Sequence, residues 1–273
     1  MRVFRTIRPR DPRPRPPSGE GLAGLRTSKV LNTVKRRAGL IALGLIPLLF
    51  LAWSVPAMRQ AWGEHWSHVD DPERDARPVT KATLAALAVE PGMSVADIGA
   101  GVGYYSFKLA QLVGPAGQVY ATDVDRYAVA AIWAHRLMRG VSNVVPMRVA
   151  SNDLGLAADS VDRILIFNVF PFESCRPELT RALLAQAANA LRTGGRLVIY
   201  HDWVHDESWV PPYGSRLRCA QPDGRQLAEL GHEHFDLVRL DENPRGAAAR
   251  PGEQPGYLLV LARRGSTRPR APT

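Results

Sequence analysis

Apolar residues follow two different spacings along residues 78–264 of this 273-residue chain. Short apolar runs, typical of strands buried on both faces, alternate with segments in which apolar residues recur every three or four positions, as on one side of a helix. The pattern predicts strands at 94–98, 118–122, 143–149, 161–168, 196–200, 235–240 and 257–262. It predicts helices at 79–89, 104–113, 126–138, 177–191 and 224–230. This alternation favours an α/β fold with a mostly parallel sheet and helices on both faces.

A segment of 21 residues without a charge, residues 38–58, stands apart from this pattern. About 20 apolar residues span the hydrocarbon core of a bilayer, so the segment predicts an N-terminal transmembrane helix; a buried core helix is the alternative. Basic residues are concentrated before the segment, and the positive-inside rule therefore predicts a cytoplasmic N-terminus and a domain outside the cytoplasm. The segment fits either an uncleaved signal anchor or a signal peptide cleaved at a site such as Val55-Pro-Ala57.

The net charge of +9 belongs to the N-terminal tail. Residues 1–37 contain 11 Lys and Arg residues and 2 acids, while the remaining residues carry 24 basic and 24 acidic side chains. A basic surface for nucleic acid is therefore not predicted on the folded region.

Residues 1–37 and 265–273 are expected to be disordered, and residues 59–77 to form a linker and helical lead-in. The two cysteines, Cys175 and Cys219, have no metal-site spacing, and their pairing stays open.

The candidate chemistry follows the first predicted strand. Asp97 is followed by three glycines at alternate positions: Gly99, Gly101 and Gly103. A second acid, Asp123, ends the next strand about 20 residues later; such an acid binds ribose hydroxyls in open α/β sheets, where the glycines let the backbone approach the nucleoside. A dinucleotide motif would place its third glycine where Tyr104 stands, and an acid beside the turn would repel a pyrophosphate. The motif favours a cationic nucleoside ligand.

At these residues the chain resembles class I S-adenosylmethionine (SAM)-dependent methyltransferases, whose first motif is acid-x-Gly-x-Gly-x-Gly. The resemblance covers residues 78–264 and implies a Rossmann-like, seven-stranded sheet of order 3-2-1-4-5-7-6 that ends in a hairpin. It also implies SAM as cofactor, held by Asp97, the three glycines, Tyr104 and Asp123. In detail, residues 71–75 and 97–110 resemble secreted or anchored bacterial methyltransferase-domain proteins and ubiquinone/menaquinone-type C-methyltransferases. Protein isoaspartyl methyltransferases are a second resemblance, although their Asp-Gly after strand 3 is absent.

Polar residues after the later strands complete the predicted cofactor site. The resemblance implies a polar side chain on the adenine amino group after strand 3, a role that either Asn152 or Asp153 could fill. Asn168 closes strand 4 and is placed in the same site. Asp125 is two residues beyond the ribose-binding acid and is expected to cap the following helix.

No residue is marked as the catalyst. Glu173, His201 and Asp202 are weak candidates, since they follow strands 4 and 5 and could orient or deprotonate an acceptor. The chain departs from the relatives at Pro171 and Phe172, where a pair of histidines is often found.

These observations predict methyl transfer from SAM to an unidentified acceptor by in-line displacement, with no metal ion. Alignment of donor and acceptor supplies most of the rate enhancement in such a reaction. The acceptor is expected to be a small or lipid-like molecule. The alternatives are a non-catalytic, membrane-anchored binding protein with a degenerate methyltransferase fold, and an isoaspartyl-type methyltransferase.

The predicted location is the inner (cytoplasmic) membrane or the periplasm, with the domain outside the cytoplasm. SAM is made inside the cell, which conflicts with a domain outside the cytoplasm. Three arrangements would resolve this conflict. The domain stays inside against the charge bias, meets its cofactor outside, or no longer needs the cofactor.

Overall fold

A computed structural model describes residues 68–169, 176–205, 221–245 and 253–265 of the chain, all within the compact unit Trp62–Thr273. The predicted membrane segment 38–58 and the tail 1–37 lie outside these residues, as do Cys175 and Cys219. Among the helices that the structure does describe, none has both the length and the apolar character needed to cross a bilayer.

Helices and strands alternate along the described ranges as the apolar pattern predicts. A short 3-10 helix, His68–Asp70, precedes α1 (Pro72–Ala76), α2 (Pro78–Leu87), α3 (Tyr104–Val113), α4 (Arg126–Met138), α5 (Pro177–Ala190) and α6 (Gly224–Leu230). The strands are β1 (Ser94–Ile98), β2 (Gln118–Asp123), β3 (Val144–Arg148), β4 (Val161–Phe167), β5 (Leu191–His205), β6 (Phe235–Glu242) and β7 (Glu253–Arg263).

The seven strands form one sheet in the order β3-β2-β1-β4-β5-β7-β6. The first five strands pair in parallel, whereas β7 is antiparallel to both β5 and β6. This order and the antiparallel pairing of the last two strands confirm the sheet that the resemblance implied.

Apolar side chains fill both faces of the sheet. One face packs on α2, α3 and α4 through Leu87, Leu109 and Ile132. The other packs on α5 and α6 through Leu184 and Leu227. Because successive residues of a strand point to opposite faces, strands covered on both sides are apolar at most positions, which is why β1 and β4 are visible in the sequence.

Acidic residues determine where three of the helices begin. Asp71 accepts backbone hydrogen bonds at the start of α1, and Asp125 does so at the start of α4, which confirms the cap predicted there. Asp223 begins α6 in a capping box with Gln226. Each carboxylate satisfies N–H groups that have no partner within the helix.

The fifth strand is longer than the sequence predicts. The apolar run indicates a strand at 196–200, but β5 begins at Leu191, which pairs with Val161 of β4, and continues to His205 because residues 201–205 pair with residues 253–257 of β7. Polar residues therefore continue the strand beyond its apolar run. His201 and Asp202 lie within β5 and not in a loop after it.

Candidate functional site

The glycine turn lies between β1 and α3 at the carboxyl end of the sheet, where open α/β folds bind ligands. Its three glycines have φ angles of 69°, 56° and 95°. A Cβ at Gly99 would lie 2.2 Å from Val169 Cγ2, and one at Gly103 would lie 2.8 Å from the Phe107 ring. At Gly101 nothing lies within 4 Å of that position. Gly99 and Gly103 therefore allow Val169 and the Phe107 ring to pack against the turn. Gly101 leaves one face of the turn open.

Asp123 fixes the tip of this turn. Its Oδ2 accepts a hydrogen bond of 2.9 Å from the Gly101 N–H, and its Oδ1 accepts one of 2.8 Å from the Asp125 N–H. Each carboxylate oxygen carries two lone pairs, so both can accept a further hydrogen bond from a ribose hydroxyl. The acid predicted to bind ribose thus lies directly beside the open face of the turn.

Asp97 lies behind the turn and is nearly buried, with 2% of its surface exposed. Its Oδ2 accepts a 2.6 Å hydrogen bond from Ser106 Oγ on α3. Burial raises the pKa of Asp97 to about 6, although the Ser106 hydrogen bond opposes the shift. The carboxyl group is therefore close to half-ionised at mildly acidic pH, and a nearby cation would favour its charged form.

The residues after β3 are exposed. Asp153 Oδ1 accepts a hydrogen bond from the Gly155 N–H, and the Asn152 carbonyl oxygen accepts one from Gln186 Nε2. Both side chains are at the correct edge of the sheet, and the adenine contact assigned to one of them stays a prediction.

Asn168, which directly follows β4, and Asp202, in the last part of β5, join these two strands. Asn168 Nδ2 donates to Asp202 Oδ2, and the Asp202 N–H donates back to Asn168 Oδ1, both at 2.8 Å. Asn168 has a positive φ of 53°, which an asparagine adopts more readily than most residues. The side chain predicted to contact the cofactor is therefore engaged in a reciprocal pair with Asp202.

Two more donors bind Asp202. Tyr200 Oη donates to Asp202 Oδ1 at 2.5 Å, and Arg245 Nη1 lies 3.0 Å from the same oxygen. Burial, followed by the bond to Asp202, raises the pKa of Tyr200 above its usual range, so the phenol remains a donor. Because Asn168, Tyr200 and Arg245 all donate to it, Asp202 is better suited to hold β4 and β5 together than to take a proton from an acceptor.

His201 does not lie on the predicted acceptor side. It is 3% exposed, and its ring centroid lies 5.5 Å from that of Tyr257. Neighbouring residues of a strand point to opposite faces, so His201 points away from the face that carries Tyr200 and Asp202. This placement corrects the expectation that His201 faces the acceptor. The third catalytic candidate, Glu173, lies outside the described residues.

A row of aromatic rings crosses the α2–α3 face of the sheet near its carboxyl end. The Tyr105 and Phe167 ring centroids are 4.5 Å apart, and the Phe167 and Tyr200 rings stack at 4.4 Å. The Arg74 guanidinium lies 3.7 Å from the Tyr104 ring centroid. Sequence analysis missed Arg74 and Tyr200. The resemblance of residues 71–75 to bacterial methyltransferase-domain proteins was the feature of the sequence that could have identified Arg74.

The same segment attaches the N-terminal lead-in to α3. Asp75 Oδ1 accepts a hydrogen bond of 2.7 Å from Tyr104 Oη and forms a 2.6 Å salt bridge with Lys108 Nζ. Hydrogen bonds from Lys108 and Tyr104 lower the pKa of Asp75. Tyr104, predicted to contact the cofactor, thus directs its hydroxyl to α1.

A cavity of about 630 Å³ lies between this lead-in and the ends of β4 and β5. Its described lining combines five charged residues with apolar and neutral polar ones: Asp71, Arg74, Arg77, Asp202, Arg245, Pro78, Val79, Thr80, Phe167, Asn168 and Pro244. Within the described ranges, no cluster of three or more His, Cys, Asp or Glu side chains could hold a metal ion.

Comparisons with known proteins agree with this geometry. Residues 95–195 match the family model of a methyltransferase domain. A protein-L-isoaspartate O-methyltransferase from Aeropyrum pernix is 34% identical over 118 residues, which are 42% of this chain and 41% of that protein. A ubiquinone/menaquinone biosynthesis C-methyltransferase from Cupriavidus taiwanensis is 26% identical over 175 residues, covering 59% of this chain and 70% of that one. The chain thus spans less than half the length of the isoaspartate relative.

A solved structure shares the fold. A SAM-dependent methyltransferase from Aquifex aeolicus superposes with a TM-score of 0.52 at 22% identity, covering 73% of this chain and 97% of that one. Residues 95–195 thus match a methyltransferase domain, and the fold is the one that this SAM-dependent methyltransferase has, whose cofactor is SAM. The described residues fit this cofactor: Gly101 leaves space above the turn, Asp123 has lone pairs for the ribose, and Asp97 can ionise beside an ammonium group.

We expect Gly101→Ala to lose affinity for S-adenosylhomocysteine by about tenfold or more, because the new Cβ projects into the open face of the turn. The φ of 56° adds a backbone penalty of about 1–2 kcal/mol, which lowers the melting temperature modestly. Calorimetric titration and a thermal melt separate the two effects.

Gly140→Ala is the matched control for Gly101→Ala. Gly140 has a φ of 62°, and nothing lies within 4 Å of its Cβ position, but it follows α4 and is not part of the turn. It should show the same loss of stability with unchanged affinity. Equal affinities in the two variants would show that the cofactor does not approach Gly101.

The affinity for S-adenosylhomocysteine should rise with pH through about 6 and then level off. The ionised form of Asp97 attracts the ligand's ammonium group, and burial raises the pKa of this carboxyl to about 6, so the attraction is lost as the pH falls through that value. If binding requires the ionised carboxylate, a pKa of about 6 predicts roughly tenfold weaker binding at pH 5 than at pH 7.5. Titrations across this range test the prediction, and Asp97→Asn should bind weakly without this pH dependence. A wild-type profile that is flat from pH 5 to 7.5 would remove Asp97 from ammonium binding.

Proposed function

We propose that this chain transfers the methyl group of SAM to a small-molecule acceptor by in-line displacement. The observation that carries the proposal is the juxtaposition of two features at one edge of the sheet. The open glycine turn lies beside Asp123 at the ends of β1 and β2, and the cavity reaches Phe167 and Asn168 at the end of β4. A nucleoside bound over the turn would have its reactive end near this cavity.

The chain's own residues bind and align the reactants. Asp123 holds the ribose, the backbone of the glycine turn receives the nucleoside, and ionised Asp97 attracts the ammonium group. When bound, SAM supplies a methyl group on a positively charged sulfur, which leaves as a neutral thioether. Since the leaving group is good, alignment can supply about 7–11 kcal/mol of the barrier reduction.

The carboxylates that line the described part of the cavity are already engaged. Asp71 caps α1, and Asp202 accepts hydrogen bonds from Asn168 and Tyr200 and pairs with Arg245. Neither is placed as a ready general base. The absence of a ready base in the described lining favours an acceptor whose attacking atom carries no proton that must be removed. An acceptor that releases its proton to water is the alternative.

A small acceptor agrees with the size of the cavity, because sites for small molecules usually enclose about 300–1,000 Å³. The similarity to a ubiquinone/menaquinone C-methyltransferase covers more of this chain than the similarity to the isoaspartate O-methyltransferase. An isoaspartyl-type activity is the second candidate, supported by that 34% identity, although the Asp-Gly expected after β3 is absent.

Purified full-length protein should bind SAM with micromolar affinity and transfer its methyl group when a suitable acceptor is supplied. Asp123→Ala should weaken SAM binding more than tenfold, because both the ribose acceptor and the anchor of Gly101 are lost. Asp236→Ala, which removes an exposed acid on β6, should bind as the wild type does. A folded protein that gives no heat with SAM would instead support a non-catalytic binding protein.

We also propose that residues 38–58 anchor the chain in the inner membrane and that the domain lies outside the cytoplasm. Support comes from the 21 uncharged residues and from the excess of basic residues before them. Alkaline phosphatase fused after Gly265, a reporter active only outside the cytoplasm, should be active. Deletion of residues 38–58 should silence it, whereas an inactive full-length fusion with intact expression would place the domain inside.

A further inference from the structure

We propose that the acceptor is a small carboxylic acid with an apolar body and that Arg77 binds its carboxylate; this rests on the proposed methyl transfer and names its substrate class. The cavity at the ends of β4 and β5 is lined by Arg74, Arg77 and Arg245. These arginines come from two separate parts of the chain, the lead-in and the segment after β6, and they meet at one cavity only in the folded domain.

The charges along the described lining do not cancel. Three guanidinium groups face two carboxylates, those of Asp71 and Asp202, which leaves one positive charge. Arg245 is already paired with Asp202 at 3.0 Å. Arg77 forms no salt bridge with any residue in the described ranges, and it is the first residue before α2. A ligand with one negative charge would neutralise this described part of the lining.

Arg74 and Arg77 are placed for different tasks. The Arg74 guanidinium lies over the Tyr104 ring, close to the glycine turn, and its charge lowers the pKa of Asp97 against the effect of burial. Arg77 follows one turn later, where the lead-in meets Pro78 and Val79. Of the two, Arg77 is therefore the cation that we assign to the acceptor.

The apolar residues of the lining indicate the chemical character of the rest of the ligand. Phe167 belongs to the stacked aromatic row, and Pro78, Val79 and Pro244 add further apolar surface. Four of the eleven described lining residues are apolar, so the cavity offers room for an apolar body beside its charged groups. A guanidinium binds a carboxylate through two parallel N–H donors, which gives both charge and orientation.

Benzoate and benzamide test this proposal, because they have nearly the same shape and differ in charge. Binding of each to the full chain is measured by ligand-observed NMR, with and without saturating S-adenosylhomocysteine. We expect benzoate to bind at least about fivefold more tightly than benzamide. Arg77→Gln should remove this preference, and Arg77→Lys should retain part of it.

Lys81→Gln is the matched control, since it removes the same charge one turn further along α2 from a residue that does not line the cavity. It should keep the preference for benzoate. Affinity for S-adenosylhomocysteine, measured on the same samples, should change less than twofold in Arg77→Gln.

Three results would overturn the carboxylate site. Equal binding of benzoate and benzamide by the wild type would show that no anion is selected. Tighter binding of phenyl phosphate than of benzoate would indicate a site for a dianion. If Arg77→Gln weakened S-adenosylhomocysteine and left the benzoate preference intact, Arg77 would serve the cofactor's carboxylate. Failure of the proposed methyl transfer is distinguishable, because it would appear as absent cofactor binding while the benzoate preference persists.

Discussion

The candidate site depends on the anchoring of the glycine turn to the end of β2, where the Thr122 carbonyl oxygen accepts hydrogen bonds from the Gly99 and Ala100 N–H groups and the carboxylate of Asp123 accepts one from the Gly101 N–H. These bonds join the turn after β1 to the end of β2, and the same carboxylate also holds the Asp125 N–H at the start of α4. A turn with three left-handed residues has little conformational preference of its own, so an external acceptor must fix it. The group that shapes the turn is therefore also the group that we propose to bind the ribose.

A second set of contacts closes the other side of the site. Asn168 and Asp202 form a reciprocal pair between β4 and β5, and Tyr200 and Arg245 donate to the same carboxylate. Such a network specifies one arrangement of two strand ends, because leaving any of its part-buried polar groups without a partner costs free energy. Asn168 and Asp202 are therefore part of a structural network, whereas Asp123 and Arg77 are the residues that we propose to bind ligands.

The N-terminal lead-in contributes more to the site than its position in the chain suggests. Asp75 is bound by Tyr104 and Lys108 of α3, and Arg74 covers the Tyr104 ring. The lead-in therefore sits against the helix that begins at the glycine turn. It brings Arg74 and Arg77 to the lining of the cavity.

The sequence alone determined the sheet, the turn and its two acids. β1 and β4 are apolar at most positions because they are covered on both faces, and the three glycines must be glycines because two lack room for a Cβ and all have positive φ. These requirements are local or periodic, so they are visible in the order of the residues. The strand order itself came from the resemblance that those residues carry.

The tertiary structure alone decided which polar residues share a site. The extension of β5 by pairing with β7 turned His201 to the far face, and Asp202 became part of the pair with Asn168. Arg77 and Arg245 are 168 positions apart in the chain and line the same cavity. Contacts between distant segments depend on how whole elements pack, and no spacing within a single segment encodes them.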